Sequence, residues 1–158
     1  MEHKRFISKD SNVSKFVFEG KYENSRDIAV EAVLYKYNSY KDRTVICCST
    51  QCGCPVGCVF CGTGKFFIRN LTCEEIVEQI ETVLTYIDCN TDEINKFQIM
   101  FMSMGEPFMN YDNLELAIIA LAEKYKNAEL LVSTSAPFMP IFNNIDKFII
   151  LSKKYDKI

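Results

Sequence analysis

The feature that most constrains this chain is a crowd of cysteines between residues 47 and 61: Cys47, Cys48, Cys52, Cys54, Cys58 and Cys61. The 158-residue sequence holds eight cysteines, the other two being Cys73 and Cys89. A disulfide framework would spread its pairs along a small secreted chain. The opening Met-Glu-His-Lys-Arg-Phe-Ile-Ser also lacks the apolar core of a secretory leader. The crowd therefore reads as cytoplasmic thiols gathered around a metal. Within it, Cys54-Pro-Val-Gly-Cys58-Val-Phe-Cys61 can fold three thiolates towards one point, with Pro55 and Gly57 helping the tight wrap. Thiolates are the natural ligands of iron–sulfur clusters. Four would saturate a cubane, whereas three leave one iron open to a small molecule. Structural zinc through Cys52, Cys54, Cys58 and Cys61 is the competing reading, and ordinary buried thiols are a third. Zinc sites usually set a second Cys or His pair at a distance, and the single histidine here is His3.

The rest of the chain supplies an α/β framework. An apolar content of 48% is enough for one core, and the net charge of −3 gives no overall attraction to nucleic acid. No stretch approaches the roughly 18 consecutive apolar residues of a membrane span. Residues 16–37 read as a small β region, in which Ile28, Val30, Ala32 and Leu34 share one face and Glu31 points to the other. From residue 44 onward short strands alternate with helices. Strands are expected over 44–49, 97–102 and 130–133. Thr72-Cys73-Glu74-Glu75 is a capping box before a helical stripe of Ile76, Ile80, Val83, Leu84 and Ile87. Asp112 is placed to cap a second helix, and a third is expected from about Pro140 to Leu151. The fold class that follows is α/β: a partial β/α barrel of about three units over 44–158, preceded by a β-rich segment over 1–43. Such folds put their sites at the carboxyl ends of the strands. The cysteine loop, Gly105-Glu106 and Ser133-Thr134-Ser135 all fall there.

Cys-x3-Cys-x-φ-Cys with Phe60 as the aromatic resembles the radical S-adenosylmethionine (SAM) signature. The wider text resembles the RlmN/Cfr family, which methylates carbon 2 or 8 of an adenine in RNA. The matching stretches are Cys47 to Cys54, Arg69-Asn-Leu-Thr72 with Glu75-Ile, Met104-Gly-Glu-Pro107 with Asn110, and Ser133-Thr-Ser135. The resemblance runs from about Asp10 to Ser135, with Ser103 and Ala136 standing where that family usually has glycine. It implies a [4Fe–4S] cluster on Cys54, Cys58 and Cys61, and SAM cleaved reductively to methionine and a 5′-deoxyadenosyl radical. Gly105 and Glu106 would bind the amino end of SAM, Ser133 would hydrogen-bond it, and Phe60 would pack on its adenine. Cys47 would resolve a covalent protein–RNA intermediate through a disulfide, and Glu31 would accept the proton from the adenine carbon. Lys65 and Arg69 are candidates for phosphate contact. Partners would be ribosomal or transfer RNA and an electron donor such as flavodoxin or ferredoxin, in the cytoplasm and away from membranes.

The same resemblance implies a cysteine near the C-terminus that carries the methyl group, and a separate N-terminal RNA-binding domain. Neither has a counterpart in these 158 residues, so the chain is expected to be a fragment of a longer enzyme. A radical SAM reaction on a peptide or metabolite, and a non-catalytic iron–sulfur module, are the alternatives that the sequence leaves open.

Overall fold

The computed structural model describes residues 1–22, 26–137 and 142–158. Its centre is a six-stranded mixed sheet. β1 (Glu2–Ile7), β2 (Val13–Tyr22), β3 (Arg26–Tyr37) and β4 (Arg43–Cys48) pair antiparallel in sequence order. β4, β7 (Lys96–Phe101) and β8 (Ala128–Val132) then pair in parallel. Strands before and after residue 43 thus belong to one mixed sheet. Each parallel strand is followed by a helix: α1 (Cys73–Leu84), α2 (Tyr111–Lys124) and α3 (Phe142–Lys154). A separate ribbon pairs β5 (Gln51–Gly53) with β6 (Phe67–Asn70). Among the described residues no helix is long and apolar enough to cross a membrane.

The alternation read in the sequence selects which face is buried. Val30, Ala32 and Leu34 of β3 lie with Phe16, Ile46, Ile99 and Leu130 in one core against Ile76, Ile80 and Leu114 of the helices. The side chain of Ile28 lies outside the described residues. Because side chains alternate along a strand, the intervening residues meet on the opposite face. There Lys15, Val33, Cys47, Met100 and Leu131 stand in register across five strands. One turn of register away, Arg43 donates to Gln98 Oε1 at 2.9 and 3.3 Å, and Gln98 Nε2 donates to Glu129 Oε2 at 2.8 Å. Both ends of the Gln98 amide are therefore satisfied, as a buried amide requires.

Helix α1 starts where its capping box predicts. Thr72 Oγ1 accepts from Glu75 N, and the Glu75 carboxylate accepts from Thr72 N at 2.9 Å. Helix α2 departs from expectation. A 3-10 turn over Pro107–Asn110 runs straight into it, so the N-cap is Asn110 and Asp112 sits inside the first turn. There its charge suits the helix dipole without capping. Pro140 lies outside the described residues, and helix α3 is described from Phe142. β1 was not legible in advance: only its pairing with β2 makes a strand of Glu2–Ile7, whose side chains are largely exposed.

Candidate cofactor site

The predicted cluster cysteines lie in a loop pinched at its base. β5 and β6 bring its ends together, and Cys54 N donates to Phe66 O at 2.8 Å. Gly53, at φ +81°, makes this closure possible, because a Cβ there would lie 2.2 Å from the Phe66 carbonyl oxygen. Within the loop, Cys61 N donates to Cys58 O at 3.0 Å and Gly64 N to Cys61 O at 3.2 Å. All three thiols are part-exposed, and the tip carries Val59 and Phe60 almost wholly in solvent.

The donor set fits a cationic cluster. Backbone hydrogen bonds from Gly64 and Thr63 hold the Cys61 thiol below its ordinary pKa, which favours the thiolate. Burial pushes Cys54 up, and the charges of Cys58, Glu106 and Cys61 push it further. Iron bound here would supply the positive charge that offsets the mutual repulsion of three thiolate ligands. Among the described residues no three His, Cys, Asp or Glu side chains are gathered closely enough to hold a single metal ion. A cubane asks for something different, since each thiolate serves its own iron. Cys52 is no fourth ligand here: it is fully buried in the apolar core and its thiol donates to Ala29 O at 3.6 Å.

Beneath the loop is a layer of buried polar side chains that sequence reasoning did not single out as a unit. Ser49 N donates to Gln79 Oε1 at 3.0 Å, and Gln79 Nε2 returns a bond to Ser49 O at 3.1 Å. Asn110 Nδ2 donates to Thr50 O at 2.7 Å and Leu71 O at 2.8 Å, tying the chain on both sides of the loop to the start of α2. Gln51 Nε2 donates to Asn70 Oδ1 at 2.7 Å, and its Oε1 accepts from Glu106 N at 2.8 Å. Buried amides of this kind use both donor and acceptor ends, so they fix geometry in two directions. A glutamine within the apolar stripe of α1, as Gln79 is, was the signal available.

The Met104-Gly105-Glu106 segment packs directly on this layer. Gly105 has φ +98°, and a Cβ on it would lie 2.6 Å from Gln51 Cβ. Glu106 is only 4% exposed and its carboxylate is fully engaged. Oε1 accepts from Phe108 N at 3.1 Å and Thr134 Oγ1 at 2.5 Å; Oε2 accepts from Ser135 N and Ser135 Oγ, both at 2.9 Å. The sequence placed Thr134 and Ser135 in a strand-end loop at the site but assigned a role there to Ser133 alone. Ser133 is exposed just past the end of β8, its N–H donating to Phe101 O at 3.4 Å. Ala136, where a glycine would be usual for the resembling family, takes the left-handed φ of +45°.

The Glu31 and Cys47 side chains lie on the sheet face away from the helices. The Glu31 backbone is tied to this group through Ser49 Oγ, which donates to Glu31 O at 2.6 Å and accepts from Glu31 N at 3.3 Å and Met104 N at 3.1 Å. β3 pairs with β4 so that Val33 opposes Cys47, which leaves Glu31 on the same face, diagonal to the thiol. The Glu31 carboxylate is about a third exposed and ion-paired with Lys15 at 2.5 Å. Cys47 is 7% exposed, and burial raises its pKa to about 11. It is therefore a thiol, not a thiolate, at neutral pH. Arg69 does not reach out from the surface: both guanidinium Nη atoms lie 2.6 Å from the Glu75 carboxylate.

A three-thiol loop followed by a Gly-Glu-Pro turn at the ends of parallel strands defines the class of protein. The sequence profile of the Radical SAM superfamily matches residues 48–153, more than half of the chain, and the chain belongs to that superfamily. Its particular likeness is to RlmN proteins. It is 44% identical over 92 residues to the probable dual-specificity RNA methyltransferase RlmN of Heliobacterium modesticaldum, covering 56% of this chain and 24% of that one. It is 36% identical over 120 residues to the corresponding protein of Dictyoglomus turgidum, covering 75% and 32%. It is 37% identical over 119 residues to the ribosomal RNA large subunit methyltransferase N of Nitrosopumilus maritimus, covering 72% and 32%. The chain thus spans about a quarter to a third of the length of these relatives.

Proposed function

We propose that this chain forms the cluster- and SAM-binding part of a radical SAM enzyme that methylates adenine in RNA. The observation that carries the reading is the loop of Cys54, Cys58 and Cys61, clamped by β5 and β6 and joined through Gln51 to the turn of Gly105 and the buried Glu106. Three thiolates leave one iron of a [4Fe–4S] cluster open, and the neighbouring turn supplies a carboxylate for an ammonium group. A cluster held by Cys54, Cys58 and Cys61 would supply the one-electron reduction needed for reductive cleavage of SAM to methionine and a 5′-deoxyadenosyl radical.

The chain's own residues bind and orient. Gly105 and Glu106 receive the amino end of SAM, Ser133 forms a hydrogen bond with SAM from the end of β8, and the exposed Phe60 ring covers its adenine. The parallel pairing of β4, β7 and β8, each with a following helix, supports part of a β/α barrel over 44–158, with 1–43 as a β-rich segment extending the sheet. The inner wall of that barrel is then the face carrying Glu31 and Cys47. RNA adenine would approach this face, with Glu31 accepting a proton and Cys47 resolving a covalent intermediate. A small electron-transfer protein such as flavodoxin or ferredoxin would reduce the cluster.

The cofactor reading is tested by anaerobic reconstitution. The chain is expected to bind about four irons and four sulfides. Alanine at Cys54, Cys58 or Cys61 should abolish this, whereas alanine at Cys73 or Cys89 should not. Stoichiometric zinc without sulfide would overturn it. The substrate class is tested by 5′-deoxyadenosine formation from SAM under reducing conditions. Unmodified ribosomal RNA should raise it more than the same RNA already methylated; equal stimulation by both would contradict the assignment.

A further inference from the structure

The Glu106 carboxylate offers about four acceptor positions, and the protein itself fills them. Phe108 N belongs to the same turn and stays with it. The other three donors, Thr134 Oγ1, Ser135 N and Ser135 Oγ, all come from the loop after β8. At 4% exposure, no solute reaches the carboxylate while that loop is in place. The loop is closed by a short internal bond, with Ala136 N donating to Thr134 Oγ1 at 2.9 Å, and it holds Ala136 at φ +45°. A left-handed alanine is unfavourable, so the loop holds Ala136 there against its own preference.

Resting on the reading of Glu106 as the partner of the SAM amine, we propose that Thr134 and Ser135 are positioning residues whose hydroxyls stand in for that amine. They fill acceptor positions on Glu106 and set SAM affinity by competing with the amine for them. Binding exchanges hydroxyl donors for an ammonium on the same oxygens, and the 133–136 loop moves off the carboxylate. No bond is made or broken other than hydrogen bonds, and the charge on Glu106 is unchanged. The loop thereby keeps an otherwise unpaired buried carboxylate satisfied until its ligand arrives.

The sign of the effect separates this from a merely structural role, because a damaged site binds its ligand more weakly. The experiment is a SAM titration of the anaerobically reconstituted full chain, read by the electron paramagnetic resonance signal of the reduced cluster. Thr134→Val, which keeps the shape and removes the donor, is expected to bind SAM about tenfold more tightly. Thr134→Ser, which restores a hydroxyl, should return the affinity to near wild type. Unchanged or weakened binding in Thr134→Val would overturn the inference. Amide exchange in the wild type gives an independent measure should the variant fold poorly. SAM should speed exchange of the Ser135 N–H, and undiminished protection in the SAM-bound chain would also overturn the inference. Failure of the wild type to bind SAM at all would instead overturn the reading of Glu106 on which it rests.

Discussion

Glu106 and Ser135 are 29 residues apart in sequence and share two hydrogen bonds at one carboxylate oxygen, each of 2.9 Å. This pairing joins the loop after β7 to the loop after β8, and Gln51 joins the first of these to the base of the cysteine loop. Three strand-end loops are thus fixed relative to one another by side chains, and those after β4 and β7 also by backbone bonds from Thr50 N and Gln51 N to Met104 O at 2.9 and 3.3 Å. Preorganisation of this kind is what lets a site hold two groups at once in a defined relation.

Gly105 is a point of close approach in that arrangement. Gly105→Ala adds a Cβ against Gln51 and sets an alanine at φ +98°. The variant should lose about 2–4 kcal/mol of stability. Urea unfolding followed by far-ultraviolet circular dichroism measures this, and a midpoint equal to that of the wild type would show that the close approach is not present in solution.

Ala136 gives the opposite expectation. At φ +45° glycine is the easier residue, so Ala136→Gly should stabilise the chain by about 0.5–1 kcal/mol. Ala128→Gly, on the extended strand β8, should instead destabilise it. The two unfolding midpoints should move in opposite directions; a loss of stability in both variants would contradict the left-handed backbone at 136.

Much of this was legible in the sequence, and the reason differs by element. Strand β3 and helix α1 were readable because one face of each is apolar at the correct period, β7 because it is a nearly continuous apolar run, and Thr72 with Glu75 marks the start of α1 in local chemistry alone. β1 carries no such pattern because neither of its faces is deeply buried. The start of α2 was misplaced because the 3-10 turn at Pro107 takes up the role given to Asp112. The cluster cysteines could be named from spacing. The partners of Glu106 could not, since Thr134 and Ser135 meet it only through the parallel pairing of β7 with β8.

Arg69 and Glu75 supply a pH-dependent prediction. Hydrogen bonds from Arg69, ahead of the one from Thr72 N, hold the Glu75 carboxyl below its usual range. A depressed pKa means that the folded state favours the ionised form. That stabilisation is present above the unfolded value of about 4.3 and is lost as pH falls through the lower folded value. Glu75→Gln should therefore cost about 1–3 kcal/mol at pH 7, and the difference from wild type should shrink as the pH is taken below about 4. Thermal unfolding across that range measures it; a gap that stays constant with pH would rule out an ionised Glu75 as the partner of Arg69.

The central claim is that Cys54, Cys58 and Cys61 hold a cluster with one open iron beside a SAM-binding turn. The most direct measurement is the electron paramagnetic resonance spectrum of the anaerobically reconstituted, reduced chain with and without SAM. Coordination at an open iron predicts that SAM changes the spectrum, and that Glu106→Gln requires roughly ten- to a hundredfold more SAM for the same change. An intact reduced cluster whose spectrum is the same at saturating SAM would contradict the account.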